Sequence, residues 1–185
     1  MIKTNSFIAL FATILVAFAA IADAKTIKIP EGKPVISVNV PDSWDPEATD
    51  KGIAIESPDK IVTVFFEVTS PKGVEDLIDE NVHWLMKDQK VEIDRESQSE
   101  KDFKTGDGDI NWSRISWDGN NEEFGPAAVG FLMTKAGDKI LTVTYWITKK
   151  DHEKQMPALD KILSSVKILT SDLCLPRRLA CRAVI

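Results

Sequence analysis

The hydrophobic pattern of the chain centres on residues 139–148, which read K-I-L-T-V-T-Y-W-I-T and contain neither Gly nor Pro. β-Branched and aromatic residues fit a pleated, packed surface. Alternation divides the side chains into two faces without charge, Leu141, Val143, Tyr145 and Ile147 on one and Ile140, Thr142, Thr144 and Trp146 on the other. The pattern therefore predicts a central strand covered on both sides. A buried helix is the alternative, and the Thr and Val content disfavours it.

Shorter segments elsewhere predict the partners of this strand. Residues 35–40 alternate between apolar and polar, and further strands are predicted at residues 52–57, 61–69, 110–117 and 127–134. Residues 91–98 predict a weaker, more polar strand near an edge of the sheet. In residues 61–69, Val62, Val64, Phe66 and Val68 face one way, and Phe65 faces the other. Ser57-Pro58-Asp59-Lys60 fits a type I turn because Pro fixes φ at the second position. The connecting segments are expected to be a lead-in and loops, at residues 26–34, 45–51, 99–108 and 118–126.

Two segments have apolar residues at helical spacing instead. Residues 71–87 follow a capping Ser70 and carry the stripe Val74, Leu77, Ile78, Val82, Leu85 and Met86. Residues 152–166 follow Asp151 and carry the stripe Met156, Leu159, Ile162, Leu163 and Val166. Pro157 either kinks the second helix or lies in its first turn. Strands and helices together predict a fold of the α/β class, of the α+β type, in which helices cover a sheet.

The first 24 residues have the pattern of an export signal. Lys3 is the only early positive charge, residues 6–22 carry no charge, and Ala22-Asp23-Ala24 presents small residues to a signal peptidase. Cleavage after Ala24 leaves a mature chain that starts at Lys25. A retained membrane anchor is the alternative, although the uncharged run falls short of the 18 residues typical of a spanning helix. We expect a soluble protein of the bacterial periplasm, with no membrane insertion after cleavage.

Length and charge limit the function classes. Residues 25–185 number 161, which suits one domain, and we place that domain at residues 25–170. The net charge of the whole chain is −6, and residues 25–170 alone carry −8. A charge of this sign argues against binding to nucleic acid or to an anionic membrane.

Residues 171–185 differ from the rest of the chain. They contain three of its five Arg and both Cys, and their apolar residues show no sustained period. We interpret them as a flexible C-terminal tail. A disulfide between Cys174 and Cys181 is compatible with an oxidising periplasm, and the sequence leaves their pairing open.

Two motifs and the order of elements carry a family resemblance. The predicted order is three strands, a helix, four strands and a helix. It begins with V-x-V-P-x-x-W at residues 38–44 and ends with A-L-D-K-I-L-S-S-V at residues 158–166. The chain resembles the PsbP/Mog-type family, which includes photosystem PsbP proteins, eukaryotic Ran-binding Mog proteins and bacterial periplasmic DcrB-like proteins. The resemblance implies an antiparallel β-sheet sandwiched between helices. It also implies a mostly non-catalytic family whose members assist or bind other components, and no site residue transfers because the motifs describe packing.

Few residues could carry catalysis. His83 and His152 are the only histidines, and the chain contains no nucleophile elbow, zinc-protease motif, P-loop or dinucleotide fingerprint. The sequence therefore favours an exported accessory or binding module with no cofactor and no catalytic constellation. Its partner is expected to be a periplasmic or envelope protein.

A metal-dependent hydrolase is the alternative. Asp107, Asp109 and Asn111 have the first three ligand spacings of an EF-hand loop, but Trp112 occupies the position that needs Gly and Asp118 the usual place of Glu. These three residues are weak metal-ligand candidates, and a polar hairpin entrance is the simpler interpretation.

The acidic loop predicted after residue 117 is the best candidate for partner binding. Long loops on a rigid sheet often carry binding residues. The partner-binding candidates are Trp117, Asn120, Glu122, Glu123 and Phe124. The alternative is a solvated loop whose two aromatic residues pack into the core.

Deleting residues 171–185 is expected to leave the thermal stability almost unchanged. The closing helix is predicted to end near Val166, so the domain is complete without the tail. Thermal unfolding of the full and truncated proteins checks this. A melting temperature lower by more than about 5 °C, or roughly 1–2 kcal/mol for a domain of this size, would mean that the tail packs on the sheet.

Overall fold

Segments rich in β-branched residues and two amphipathic segments form the secondary structure of the chain. A computed structural model describes residues 24–105 and 110–169. The strands in these residues are β1 (Ala24–Ile29), β2 (Ile36–Pro41), β3 (Asp45–Ala48), β4 (Gly52–Glu56), β5 (Val62–Thr69), β6 (Val91–Thr105), β7 (Ile110–Asn121), β8 (Gly125–Ala136), β9 (Lys139–Thr148) and β10 (Lys167–Ile168). The helices are a 3₁₀ turn (Pro71–Gly73), α1 (Val74–Lys87) and α2 (His152–Ser164).

The strands form two antiparallel sheets. The larger has the order β3-β4-β5-β9-β8-β7-β6, and the smaller has the order β1-β2-β10. β9 lies in the middle of the larger sheet, and its last eight residues are all buried. Its central residue Val143 pairs with Phe66 of β5 on one side and with Leu132 of β8 on the other. The prediction of a central strand covered on both faces is confirmed.

One face of the large sheet packs against the small sheet and α2. Its core contains Leu141, Val143 and Ile147 of β9, together with Val62, Val64 and Phe66 of β5. The small sheet adds Ile36, Val38 and Val40, and α2 adds Leu159, Ile162 and Leu163. Each fully buried side chain of this size contributes roughly 1.5–3 kcal/mol relative to an exposed one, so this layer is the main source of stability.

The opposite face is covered by α1. Leu85 of the helix packs in one cluster with Val129, Phe131 and Trp146 of the sheet. Trp84 meets Phe65 edge to face, with ring centroids 4.5 Å apart. The large sheet thus has a helix on each face, as predicted.

Several strands lie where loops were expected. β1 overlaps the expected lead-in at residues 26–34, β3 lies in the expected loop at residues 45–51, and β6 continues through residues 99–105 of the expected loop at residues 99–108. All three are edge strands or extensions of edge strands. An edge strand exposed to water needs no apolar alternation. β3 tolerates Pro46 because one row of its backbone groups has no partner strand.

The helix starts also differ from the prediction. Neither Ser70 nor Asp151 makes a side-chain capping hydrogen bond. The carboxylate of Asp151 instead accepts a hydrogen bond from the Thr148 hydroxyl at 3.0 Å, because the strand ends directly beside it. Pro157 lies inside α2, beyond its first turn.

A buried carboxyl group lies between α1 and the sheet. The side chain of Glu67 on β5 is only 6% exposed. The amide of Asn81 on α1 donates hydrogen bonds to Glu67 Oε2 at 2.7 Å and to Thr144 Oγ1 at 2.9 Å. Burial raises the pKa of Glu67, although the Asn81 hydrogen bond and the charge of Lys51 act in the opposite direction. Lys51 pairs with Glu80 instead.

Replacing this carboxyl group tests the cost of burying it. A carboxyl whose pKa is raised by folding stabilises the protein most below its unfolded pKa of about 4.3, and this contribution is lost as the pH rises through the folded pKa. Glu67→Gln keeps an acceptor for Asn81 and removes the charge. It is expected to raise the free energy of unfolding at pH 7.5 by about 1 kcal/mol and to have little effect below pH 4.

Thermal or urea unfolding between pH 3 and pH 8 measures this difference. Glu92→Gln is the matched control, because Glu92 is exposed and has no ion pair in the described part of the chain. A destabilised Glu67→Gln variant at pH 7.5 would show that the charge of Glu67 supports the fold.

Candidate functional site

Three turns meet at one end of the large sheet and line an open crevice of about 720 Å³. They are the β4–β5 turn, the α1–β6 turn and the β7–β8 turn. Trp146, near the end of β9, completes the lining. The residues that line this turn crevice are Glu56, Lys60, Asp88, Gln89, Lys90, Asn121, Glu122, Glu123, Phe124 and Trp146.

The β7–β8 turn is short because both strands continue into the segment that was predicted as a loop. The prediction of a long loop at residues 118–126 is therefore wrong, because only residues 122–124 lie between the two strands. The buried side chain of Asn121 holds the turn. Its Oδ1 accepts hydrogen bonds from the backbone N–H groups of Glu123 at 2.9 Å and Phe124 at 2.8 Å. Gly125 then takes a φ of +79°, which a residue without Cβ adopts readily.

The α1–β6 turn is joined directly to the β7–β8 turn. Asn121 Nδ2 donates to the carbonyl of Gln89 at 2.6 Å, and the N–H of Glu122 donates to the carbonyl of Lys90 at 3.1 Å. Lys90 Nζ also pairs with Glu122 Oε2 at 3.0 Å, but both side chains are largely exposed, so this pair adds little stability. The backbone and Asn121 bonds therefore fix the relative positions of the two turns.

The β4–β5 turn is closed by the hydrogen bond of a β-turn at the predicted four residues. The N–H of Lys60 donates to the carbonyl of Ser57 at 2.9 Å. Partial burial acts to raise the pKa of Asp59, but the Ser57 hydroxyl and the charge of Lys154 outweigh it and hold that pKa below its ordinary value. Asp59 also accepts a hydrogen bond from Gln155 at 2.8 Å, which ties the turn to α2.

Two lysines in the crevice have an unusual backbone conformation. Lys60 has a φ of +59° and Lys90 a φ of +51°, and no other non-glycine residue in the described ranges has a positive φ. Side chains with a Cβ rarely adopt this region, and strained residues concentrate at functional sites. That both lie in one crevice distinguishes it from the other clefts of the protein.

The floor of the crevice is aromatic and its rim is acidic. Trp146 is 2% exposed, whereas Phe124 is 37% exposed, and their ring centroids lie 6.1 Å apart. Trp146 Nε1 donates to Gln89 Oε1 at 3.2 Å, which fixes the indole. Four carboxylates and two lysines line the site, a formal charge of −2. Such a surface can bind a segment that presents positive charge and an apolar group.

The structure brings together three of the five predicted partner-binding residues. Glu122, Glu123 and Phe124 line the crevice. Trp117 packs edge to face on Phe131 on the α1 face of the sheet, with ring centroids 5.7 Å apart. Asn120 is exposed and lies opposite Glu92 on β6 and Pro126 on β8. The prediction missed the contributions of the other two turns and of Trp146, because no local pattern brings these segments together.

The metal-site and tail candidates are not tested by the structure. Asp107, Asp109, Cys174 and Cys181 lie outside the described residues. Asn111 is an exposed residue of β7 opposite Lys104. Residues 24–105 and 110–169 contain no group of three His, Cys, Asp or Glu side chains arranged to hold a metal ion. No helix within these ranges is long and apolar enough to cross a membrane.

Comparisons with known proteins find similarity in structure alone. No protein-family model matches the chain. No curated protein sequence matches it either. Cyanobacterial PsbP (CyanoP) from Synechocystis sp. PCC 6803 has a similar solved structure, with 10% identity, a TM-score of 0.52 and coverage of 82% of this chain and 96% of CyanoP.

Two further solved structures are more distant. LpqN of Mycobacterium tuberculosis, involved in cell envelope biogenesis, has 12% identity and a TM-score of 0.48 over 78% of this chain and 91% of LpqN. The Ran-binding protein Mog1p of Saccharomyces cerevisiae has 10% identity and a TM-score of 0.46 over 80% of this chain and 96% of Mog1p. At these identities the likeness concerns the fold, and the similarity to CyanoP confirms the predicted antiparallel α+β class.

Replacing Asn121 is expected to loosen the crevice. Asn121→Ala leaves two backbone N–H groups and one carbonyl without their partner, which costs about 2–3 kcal/mol of unfolding free energy. Urea unfolding measures the loss. Asn120→Ala is the matched control, since the adjacent side chain is exposed and the change should stay within about 0.5 kcal/mol. Equal effects of the two variants would contradict the anchoring role of Asn121.

Proposed function

We propose that this protein is an exported, non-catalytic accessory module that binds a protein partner through the turn crevice. The observation that carries the proposal is the combination of an exposed aromatic residue, an acidic rim and two positive-φ lysines in one site. The hydrogen bonds of Asn121 and Gln89 preorganise the site, so binding need not order it first.

The partner is a periplasmic or envelope protein that presents a basic segment. Residues 25–170 carry a charge of −8, and the crevice rim carries −2, so the whole domain attracts a cationic partner and the rim orients it. Phe124 offers the partner an apolar contact beside its charges. Aromatic residues are enriched among those that dominate binding energy, which makes Phe124 the expected anchor.

A binding role suits the chemistry of the crevice. Its described lining contains carboxylates, amides, lysines and aromatic rings, but no Ser, Cys or His that could act as a nucleophile with its base. The resemblance to the PsbP/Mog-type family points to the same class of function. The first 24 residues support export. The alternative, a metal-dependent hydrolase using Asp107 and Asp109, rests on sequence spacing alone.

Photocrosslinking from two positions tests the site. A photoreactive amino acid at position 124 is expected to capture a specific periplasmic protein in living cells. The same group at position 100 should not, because Glu100 is an exposed residue of β6, away from the crevice. Equal capture from both positions would place the partner elsewhere, and turnover of a substrate with no partner recovered would reverse the proposal in favour of an enzyme.

Charge reversal tests the acidic rim. Glu122→Lys with Glu123→Lys is expected to weaken binding of the captured partner by about tenfold or more, because it replaces attraction to a basic segment with repulsion. Glu92→Lys with Glu100→Lys changes the net charge equally on exposed positions of β6 and should have a much smaller effect. Affinities measured at two salt concentrations check both pairs. Equal losses would show that only the overall charge matters.

A further inference from the structure

A second, smaller cavity of about 180 Å³ lies between α2 and the outer strands of the large sheet. It is separate from the turn crevice, because it opens on the α2 face and shares no lining residue with the crevice. Met156, Leu159 and Leu163 of α2 cover the cavity, and Leu132 of β8 adds to its apolar wall. Its polar lining groups are Lys101, Arg114, Tyr145 and Asp160.

Gly130 makes room for the polar end of this cavity. It pairs with Tyr145 across β8 and β9. A Cβ at position 130 would lie 2.3 Å from two ring carbons of Tyr145 and 2.5 Å from its hydroxyl oxygen. The ring therefore lies across β8, directly over the glycine, and directs its hydroxyl away from β9. Arg114 lies beyond, on β7, and pairs with Leu132.

Arg114 has a donor that the described protein does not satisfy. Its Nε is buried and has no hydrogen-bond partner within residues 24–105 and 110–169. Arg114 is also absent from the ion pairs of these residues, and its Cζ lies over the Phe103 ring at 5.9 Å from the centroid. The guanidinium of Arg114 also borders the cavity beside the Tyr145 hydroxyl, so an acceptor bound there would give this charge a further hydrogen-bond partner.

The charges of the lining favour an anion. Arg114 and Lys101 outnumber Asp160, and Lys101 and Asp160 are exposed, whereas Tyr145 is buried. Burial raises the pKa of Tyr145, whereas the charge of Arg114 and a hydrogen bond with its side chain act in the opposite direction, and the charge of Asp160 reinforces the rise. The hydroxyl thus stays protonated at neutral pH and is available as a second donor beside the guanidinium.

We propose that this cavity binds a small organic carboxylate with a short aliphatic tail. The planar guanidinium of Arg114 and the hydroxyl of Tyr145 bind the carboxylate, since Arg matches carboxylate geometry well. The tail packs against Leu132, Leu159 and Leu163. The volume of 180 Å³ is below the range of roughly 300–1,000 Å³ for drug-sized ligands, which restricts the site to molecules about the size of butyrate.

Titrations with three probes test the ligand class. Butyrate added to the purified protein is expected to cause saturable changes in the amide NMR signals of residues around Arg114, Tyr145 and Leu159. Butanamide, which has the same shape without the charge, should bind at least about tenfold more weakly. Sulfate, which has charge without a tail, should also bind more weakly. Equal binding of butyrate and butanamide, equal binding of butyrate and sulfate, or no saturation would each overturn the proposal.

Variants locate the site. Arg114→Gln is expected to weaken butyrate binding by about tenfold, and Tyr145→Phe, which keeps the ring over Gly130, by about threefold to tenfold. Arg95→Gln is the control, because Arg95 is an exposed arginine of β6 outside the cavity lining, and it should bind normally. If Arg114→Gln does not fold, Tyr145→Phe decides alone, since it removes only a hydroxyl. Unchanged butyrate affinity in the folded variants would disprove the assignment.

Discussion

The rest of the structure depends on the burial of β9 on both faces. Its last eight residues are buried, so neither face can be left to water, and each requires its own covering layer. The polar groups of this strand are satisfied at its neighbours: Thr142 donates to the Glu67 carbonyl, Thr144 accepts from Asn81, and Thr148 donates to Asp151. The central strand therefore sets where α1, α2 and the small sheet must pack.

The two candidate sites follow from the same constraint. Trp146 and Tyr145 are adjacent in β9, and alternation directs them to opposite faces. Trp146 faces α1 and forms the floor of the turn crevice, whereas Tyr145 faces α2 and lines the small cavity. One strand thus supports a surface proposed to bind a protein segment and a small cavity proposed to bind an anion. The two sites can be altered independently, because the sheet separates them.

The sequence predicted those elements in which buried positions recur at regular spacing. The faces of β9 and β5 and the stripes of both helices follow from apolar spacing. The structure confirms them except at Met86 in the last turn of α1, which is 50% exposed. β1, β3 and much of β6 could not be found in this way, because exposed edge strands carry polar residues like those of loops. The sequence predicted only part of the crevice. Glu122, Glu123 and Phe124 lie in one acidic segment, but Lys60, Lys90 and Trp146 join them only through strand register and backbone conformation.

The two sites differ in whether their buried polar groups have hydrogen-bond partners. Around the crevice, Asn121 and Gln89 have partners, so the surface is rigid before anything binds. Among the described residues, three side chains have a buried polar atom without a partner, and of these Arg114 alone is charged, while Thr49 and Thr63 are neutral hydroxyls. A buried hydroxyl without a partner costs a folded protein less than a buried N–H of a charged group without one. The described side chains of Glu67, Asn81 and Asn121 all have hydrogen-bond partners, whereas Arg114, at the edge of the small cavity, keeps one donor without a partner among the described residues.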